Sequence, residues 1–199
     1  MSDDQFKTLK APSQANITEK KSKFLSFAFP TTTVEEAMDF VSRLQKEYFD
    51  ARHVCWAYMI GADRTTFRAN DNGEPSGTAG KPILGQIESF GLTNIVIAVV
   101  RYFGGIKLGT SGLITAYREA ARQAIENGEI ITCHEMADIR FTFPYQAMND
   151  VMKLTKNPEV EITERCFDNT CSMTMTTRRG YADTLRASIE KIDGATLSD

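Results

Sequence analysis

The chain has 199 residues, of which 42% are hydrophobic and 25% are charged, and these ordinary fractions exclude a disordered, collagen-like or coiled-coil protein. Lys and Arg together number 23 against 26 Asp and Glu, and the resulting net charge of −3 gives no overall positive field for nucleic acid. The charge is uneven, because residues 1–132 hold 15 basic and 15 acidic side chains whereas residues 133–199 hold 8 and 11.

The first 128 residues predict strands and helices separated by two glycine-rich loops. In chain order we predict a strand at 18–29, a helix from 34 to about 49 capped by threonines 31–33, strands at 53–61 and 64–70, a loop at 71–82, a helix at 82–90, a buried strand at 95–100, a second loop at 101–112, and a helix at 113–126. Asn127-Gly128 then gives a helix stop.

The pattern changes after this stop and predicts a second domain. Strands are expected at 130–143, 159–167, 170–178 and 195–197, and helices at 144–156 and 180–192. This order is βαββαβ, the ferredoxin-like arrangement. We therefore predict an α+β protein of two domains, 1–132 and 133–199.

Targeting signals and cysteine usage indicate an intracellular setting. No apolar run approaches the roughly 20 residues that span a bilayer, and the first residues do not follow a signal-peptide pattern, so we expect a cytoplasmic protein without membrane association. The cysteines at 55, 133, 166 and 171 lack metal-type spacing, and neither a metal nor a cofactor is predicted. Cys166 and Cys171 are expected to face each other across a hairpin that turns at Asp168-Asn169, either as a redox pair or as two thiols kept reduced in the cytosol.

The two glycine-rich loops are the candidate binding elements. Lys81 ends the first loop just before a helix, where free N–H groups and the helix dipole favour a phosphate. Arg101 ends the buried strand and Lys107 lies in the second loop, so the three cations can converge on one anion if both loops share an edge. The loops match neither a Walker loop nor a dinucleotide fingerprint. The alternative is that the glycines serve turns and close helix–sheet packing.

Catalytic residues are less evident in these loops. Asp71 and Glu74 can act as paired carboxylates or bind Mg²⁺, although such residues also cap turns. His53 and Cys55 share one face of a strand, which permits a Cys–His nucleophile pair or a core histidine beside a buried thiol. Candidate hydroxyls lie in both loops outside any nucleophile elbow, at Ser76, Thr78, Thr110 and Ser111.

Four stretches resemble the Impact family. They are KSKFL (21–25), ARHVCWAY (51–58), NDNGEPSGTAGKPIL (70–84) and IVIAVVRYFGGIKLGTSGLITAY (95–117), and the resemblance covers about residues 20–128. Ser111 and Thr115 stand where a small residue and a basic residue are expected. The resemblance implies a first domain similar to the left-handed βαβ fold of a ribosomal protein and of domain IV of elongation factor G. It implies a second domain similar to domain V of that factor.

The resemblance also implies a role in translation, since eukaryotic members of the family regulate it. The leading hypothesis is a non-enzymatic protein that contacts RNA or the ribosome, or a translation-related protein partner. Its first domain would supply charge from the three loop cations, stacking from Tyr102 and Phe103, and close backbone approach at Gly104, Gly105 and Gly109. The alternative is a Mg-dependent enzyme or binding protein for a phosphorylated small molecule or nucleotide. A third hypothesis is a protein-interaction module that uses the acidic second domain.

Overall fold

The computed structural model describes residues 4–167 and 170–198. In chain order its elements are β1 (Gln5–Leu9), β2 (Ser13–Glu19), β3 (Ser22–Pro30), α1 (Val34–Glu47), β4 (His53–Ile60), β5 (Thr66–Asn70), α2 (Gly80–Ser89), β6 (Ile95–Tyr102), α3 (Gly109–Glu126), β7 (Ile130–His134), β8 (Met136–Phe143), α4 (Met148–Leu154), β9 (Val160–Phe167), β10 (Cys171–Arg178), α5 (Arg179–Glu190) and β11 (Thr196–Ser198). None of the helices in this part of the chain is both long and apolar enough to cross a membrane.

The chain divides into two compact units, one of residues 6–133 and one of residues 134–198 together with Asp4 and Gln5. The sequence places the domain boundary between residues 132 and 133 and assigns the whole N-terminus to the first domain. The structure instead assigns Asp4 and Gln5 to the second unit. The backbone shows why, since the N–H of Glu135 donates to the carbonyl of Asp4 over 2.7 Å.

The first unit is a three-layer α/β/α arrangement around one antiparallel sheet. Among the described residues its strands follow the order β2-β3-β6-β4-β5, and each neighbouring pair is antiparallel. Helix α1 covers one face through Ala37, Val41 and Leu44, and helices α2 and α3 pack in the core on the other face. Residues 95–100 are buried, which confirms the prediction from their continuous apolar run.

Helix α1 begins as its sequence predicts. The hydroxyl of Thr33 accepts a hydrogen bond from the N–H of Glu36 over 3.1 Å, and the Glu36 carboxylate accepts from the Thr31 hydroxyl over 2.8 Å. The Thr31 hydroxyl and backbone N–H groups hold the pKa of Glu36 below its usual value. This reciprocal capping fixes the first turn of the helix.

Several boundaries in the first unit differ from the predicted ones, and three of them change the hairpin and the two glycine-rich loops. The single strand expected at 18–29 is part of the β2–β3 hairpin, because Lys20 and Lys21 adopt positive φ angles of 45° and 67° and close a tight turn. Helix α2 begins at Gly80 rather than Pro82. Helix α3 begins at Gly109 rather than Leu113 and β6 extends to Tyr102, so the second glycine-rich loop spans 103–108 rather than the predicted 101–112.

The second unit confirms the predicted βαββαβ order. Among its described residues the sheet order is β11-β8-β10-β9, all antiparallel, and α4 and α5 contribute to its core with Val151, Leu185 and Ile189. The segment predicted as one strand at 130–143 is divided into β7 and β8 at Glu135.

The predicted facing of Cys166 and Cys171 is wrong. Cys171 pairs with Phe167 and Cys166 pairs with Ser172. This register, shifted by one residue from the predicted pairing, puts the two thiols on opposite faces of the sheet. Cys171 is accordingly buried, Cys166 is exposed, and both are free. The expected turn at Asp168-Asn169 lies outside the described residues.

Candidate functional site

A buried ion pair lies at the end of β6 in the first unit. Nη1 of Arg101 donates to Oε1 of Glu74 over 2.6 Å, and the two side chains are 8% and 3% exposed. The hydroxyl of Tyr117 on α3 donates to the same oxygen over 2.8 Å. The Arg101 guanidinium also lies over the rings of Phe24 and Phe103, at 5.6 and 5.8 Å from their centroids. Arg101 therefore fastens the first glycine-rich loop to the sheet and is not exposed to an external phosphate.

The first glycine-rich loop is closed by the carboxylate of Asp71. It accepts hydrogen bonds from the N–H groups of Gly77, Ala79 and Gly80 over 2.8, 3.0 and 2.8 Å. Burial acts to raise the pKa of Asp71, but these N–H groups and the charge of Lys81 together hold the pKa below its usual value. Asp71 thus occupies the beginning of α2, where the sequence predicts a phosphate, since a side-chain anion satisfies the same donors.

The loop approaches the sheet closely at one glycine. A Cβ atom on Gly80 would lie 2.6 Å from the backbone nitrogen of Asn70, so the beginning of α2 can pack against β5 only without a side chain. Thr78 is buried and its hydroxyl donates to the Pro75 carbonyl over 2.6 Å, whereas Ser76 is exposed. These contacts give the loop a packing role, the alternative that the sequence leaves open.

Cys55 and His53 each bond to the backbone of this loop rather than to one another. The Cys55 thiol donates to the Asp71 carbonyl over 2.9 Å, and burial raises the pKa of Cys55 to about 12. Nδ1 of His53 lies 2.9 Å from the Asn72 carbonyl, so this nitrogen carries the hydrogen. A thiol with so high a pKa is a poor nucleophile at neutral pH.

The described residues contain no cluster of three or more Asp, Glu, His or Cys side chains arranged to hold a metal ion. Asp71 and Glu74 are both engaged within the protein. These contacts favour a structural role for both carboxylates over catalysis.

The second glycine-rich loop presents side chains to solvent. Phe103 is 52% exposed and Ile106 is 44% exposed, and Lys107 and Gly105 are exposed as well. Gly104 packs so tightly on the backbone of Lys21 and Ser22 that a Cβ atom would overlap with both, and its N–H donates to the Ser22 hydroxyl over 3.1 Å. The loop is thereby held against the lysine-rich turn between β2 and β3.

The remaining predicted residues have other surroundings. Tyr102 is half-buried, and its hydroxyl donates to Asp50 over 2.7 Å. Gly109 begins α3 with a φ of 75°, and Thr110 and Ser111 are exposed in its first turn. Thr115, where the family resemblance leads one to expect a basic residue, is exposed on α3, and its hydroxyl donates to the Ser111 carbonyl over 3.0 Å.

Lys81 lies in a different place from Arg101. It lines an open groove of about 370 Å³ between α2 and α3, and the cation that shares this groove is Arg118. Sequence analysis did not identify Tyr117 or Arg118 as functional residues. Tyr117 is the last residue of the motif 95–117, and Arg118 follows it directly on α3. The helical spacing of Ile114 and Arg118, four residues apart, is the signal that places both on one helix face.

Taken together, the fold and the site define an α+β protein whose first unit is organised around a buried Arg–Glu pair and two glycine-rich loops. The family model described as the Impact N-terminal domain matches residues 20–125. The chain therefore belongs to the Impact family.

Individual relatives agree with this assignment. A protein of Haemophilus influenzae named "IMPACT family member" is 37% identical over 150 residues, which cover 74% of this chain and 73% of that protein. The Escherichia coli family member YigZ is 46% identical over 108 residues, and the match spans about half of each protein, 53% in both cases. A solved structure titled "Crystal structure of an hypothetical protein" aligns with a TM-score of 0.75 and 28% identity over 98% of this chain and 96% of that chain.

Proposed function

We propose that this protein is a translation-associated binding protein whose first unit contacts RNA or the ribosome. The proposal draws on the Impact family, whose eukaryotic members regulate translation. It also draws on the expectation, implied by the family resemblance, that the two units are similar to domains IV and V of elongation factor G, which would indicate ribosomal surroundings. The buried Arg–Glu pair and the capped first loop are engaged in packing, so the exposed second glycine-rich loop is the surface that we assign to binding.

The observation that carries the proposal is a surface of lysines around a half-exposed aromatic ring. We call it the loop surface and define it as residues 103–107 together with Lys20 and Lys21. Its three lysines are exposed, and within residues 4–167 and 170–198 none of them forms an ion pair. Unpaired cations suit RNA phosphates, and the ring of Phe103 suits an unstacked base.

The charges of this surface differ from those expected from sequence. Arg101 is withdrawn into its pair with Glu74, so it orients Phe103 from beneath instead of meeting phosphate. The positive charge comes from Lys107 and from the β2–β3 turn. The packing of Gly104 on Lys21 joins these two sources into one surface.

The test is binding of the full chain to a fluorescent single-stranded RNA of mixed sequence and to purified ribosomes, over a range of salt concentrations. The variant Lys107→Ala should weaken binding and lower the slope of log affinity against log salt by about 0.7 for the lost phosphate contact. Phe103→Ala should weaken binding about tenfold or more with little change in slope, because base stacking contributes about 1–3 kcal/mol.

Matched controls are Lys191→Ala and Phe49→Ala. Lys191 is exposed in the second unit, and the Phe49 ring is 84% exposed after α1, so both remove similar groups outside the loop surface. Binding that ignores salt, or loop-surface variants that bind as tightly as these controls, would refute the proposal.

A further inference from the structure

The groove between α2 and α3 has the features of an anion site separate from the loop surface. It is lined by Gly77, Lys81, Pro82, Gly85, Gln86, Ile114 and Arg118, and encloses about 370 Å³. Two of these side chains are cations and none is an acid. We propose that this groove binds a phosphate group between Lys81 and Arg118, with the Gln86 amide as a neutral donor.

Neither cation is neutralised by its own helix. Residues three and four positions from Arg118 are Ile114, Thr115, Ala121 and Arg122, and those around Lys81 are Gly77, Thr78, Leu84 and Gly85. The acids of α3 are engaged elsewhere, because Arg122 pairs with both Glu119 and Glu126 over 2.6 Å. In the described part of the chain, Lys81 and Arg118 form no salt bridge. The charge of Asp71 acts on Lys81, but its carboxylate is held by three backbone N–H groups, so both cations keep their hydrogen-bond donors for an anion.

Gly85 lines the groove, and no packing contact requires a glycine at this position. Gly85 lies in the interior of α2, where glycine destabilises a helix relative to alanine, yet a Cβ atom there would meet nothing within 4 Å. Its backbone φ is not in the left-handed region. A residue that weakens its helix without relieving a contact is explained if the open space above it is occupied by a ligand.

Gly77, which also lines the groove, lies in contact range of the Lys81 side chain. Gly77 adopts a φ of 76°, and a Cβ atom there would lie 3.7 Å from Cδ of Lys81, so the lysine stem runs over the loop. The N–H groups at the beginning of α2 are already taken by Asp71. The anion would therefore be held by the side chains of Lys81 and Arg118. A planar guanidinium opposite an ammonium suits the oxygens of a phosphate, which accept both bidentate and single hydrogen bonds.

The first experiment measures the thermal stability of the full chain in sodium phosphate and in adenosine monophosphate, against sodium chloride at equal ionic strength. A ligand that binds the folded state raises Tm, and we expect a rise in the wild type beyond that in chloride. Lys81→Ala combined with Arg118→Ala should weaken the apparent affinity at least tenfold, since each removes a charge-assisted hydrogen bond. Arg122→Ala removes an ion-paired cation of the same helix and should keep the response.

The variant Gly85→Leu tests whether phosphate binds within the groove or responds only to the positive charge of the two side chains. The side chain would fill the groove without touching either cation's charge, and it should raise the Tm of the unliganded protein because leucine is the better helix former. We expect this more stable variant to lose the phosphate response. If the wild type responds to phosphate and adenosine monophosphate no more than to chloride, or if Gly85→Leu and the double variant respond like the wild type, the proposal is wrong.

A second measurement identifies the source of the phosphate. If Gly85→Leu weakens binding of the single-stranded RNA at least tenfold, the groove holds a phosphodiester of the same RNA; if RNA binding is unchanged, it holds the phosphate of a small molecule. When the wild type shows the phosphate response described above, the first result assigns that response to RNA and the second assigns it to a small molecule. The outcome is independent of the proposed function, because loss of RNA binding in Phe103→Ala reports on the loop surface and leaves the phosphate response of the groove intact.

Discussion

Arg101 sets the stability of the loop region at the scale of a single residue. Its removal leaves the Glu74 carboxylate buried beside Tyr117 without a cation, and breaking a buried pair in this way costs about 3–5 kcal/mol. We expect Arg101→Ala to lower the free energy of unfolding by about that amount in urea denaturation.

The matched control replaces both partners. Arg101→Met combined with Glu74→Leu removes the charges together and should recover much of the loss, because buried ion pairs are often replaceable by apolar groups. A loss below about 1 kcal/mol in the single variant, or no recovery in the double variant, would contradict a dominant role for this pair. Because Arg101→Ala is expected to destabilise the loop region, weaker RNA binding by this variant would not identify Arg101 as an RNA contact.

Asp71 makes the stability of the first loop dependent on pH. Its pKa is lowered in the folded state by the N–H groups of Gly77, Ala79 and Gly80, which outweigh the opposing effect of burial. A group with a lowered pKa stabilises the fold above its unfolded pKa of about 3.9, and this contribution is lost as pH falls through the folded value.

The comparison that isolates this effect is with Asp71→Asn, which keeps the shape but does not titrate. We expect the variant to be less stable by about 0.5–2 kcal/mol near pH 7, as for a lost helix cap. The difference should shrink as pH falls below about 4. Unfolding free energies measured between pH 3 and 7 check this, and a constant difference over that interval would speak against the carboxylate as the titrating group.

The sequence predicted side-chain contacts only between residues that lie close together in the chain. The threonine cap of α1 follows from neighbouring residues. The Arg101–Glu74 pair joins positions 27 apart in the chain, and nothing in their spacing predicts that a strand end and a loop bring them together. For the same reason the sequence allows Lys81 to converge with Arg101 if the two loops share an edge, but it does not indicate that Lys81 lines a groove with Arg118.

Among the elements, the β2–β3 hairpin depends on one glycine in a distant loop. Gly104→Ala would place a methyl group into the backbone of Lys21 and Ser22, so the hairpin or the loop must move. Overpacking of this kind costs about 1–3 kcal/mol.

The control is Gly85→Ala, whose methyl group meets open space and should stabilise the protein by up to about 1 kcal/mol. Urea denaturation of the two variants should give changes of opposite sign. Equal stability of Gly104→Ala and the wild type would show that the loop is free to shift away from the hairpin.

Periodicity predicted the elements better than it predicted their ends. The buried strand β6 and the amphipathic helix α1 have strong patterns that packing preserves. The β2–β3 turn was missed because Lys20 and Lys21 are not typical residues for positive φ. Helix α3 begins earlier than predicted because Gly109, Thr110, Ser111 and Gly112 form its first turn, whereas glycine and hydroxyl residues ordinarily indicate a loop.

At the scale of the whole molecule, the second unit depends on a residue from the start of the chain. Asp4 is 3% exposed, and Oδ2 of its carboxylate accepts a hydrogen bond from the N–H of Gly180 at 3.0 Å. Its carbonyl accepts from the N–H of Glu135. Composition and periodicity could not predict this contact, because a short polar N-terminal segment carries no signal that it joins a unit more than a hundred residues away.

We therefore expect Asp4→Ala to destabilise the second unit while leaving the first unit unchanged. The side chain accepts a backbone hydrogen bond at the beginning of α5, and loss of a buried partner of this kind costs about 1–3 kcal/mol. Hydrogen–deuterium exchange with peptide resolution should show faster exchange in β10 and α5 and unchanged exchange in β4 and β6. Asp4→Asn retains an acceptor oxygen and should give a smaller effect. Equal loss of protection in both units would mean that Asp4 stabilises the chain as a whole, and no loss in either would mean that its contact with Gly180 contributes nothing to stability.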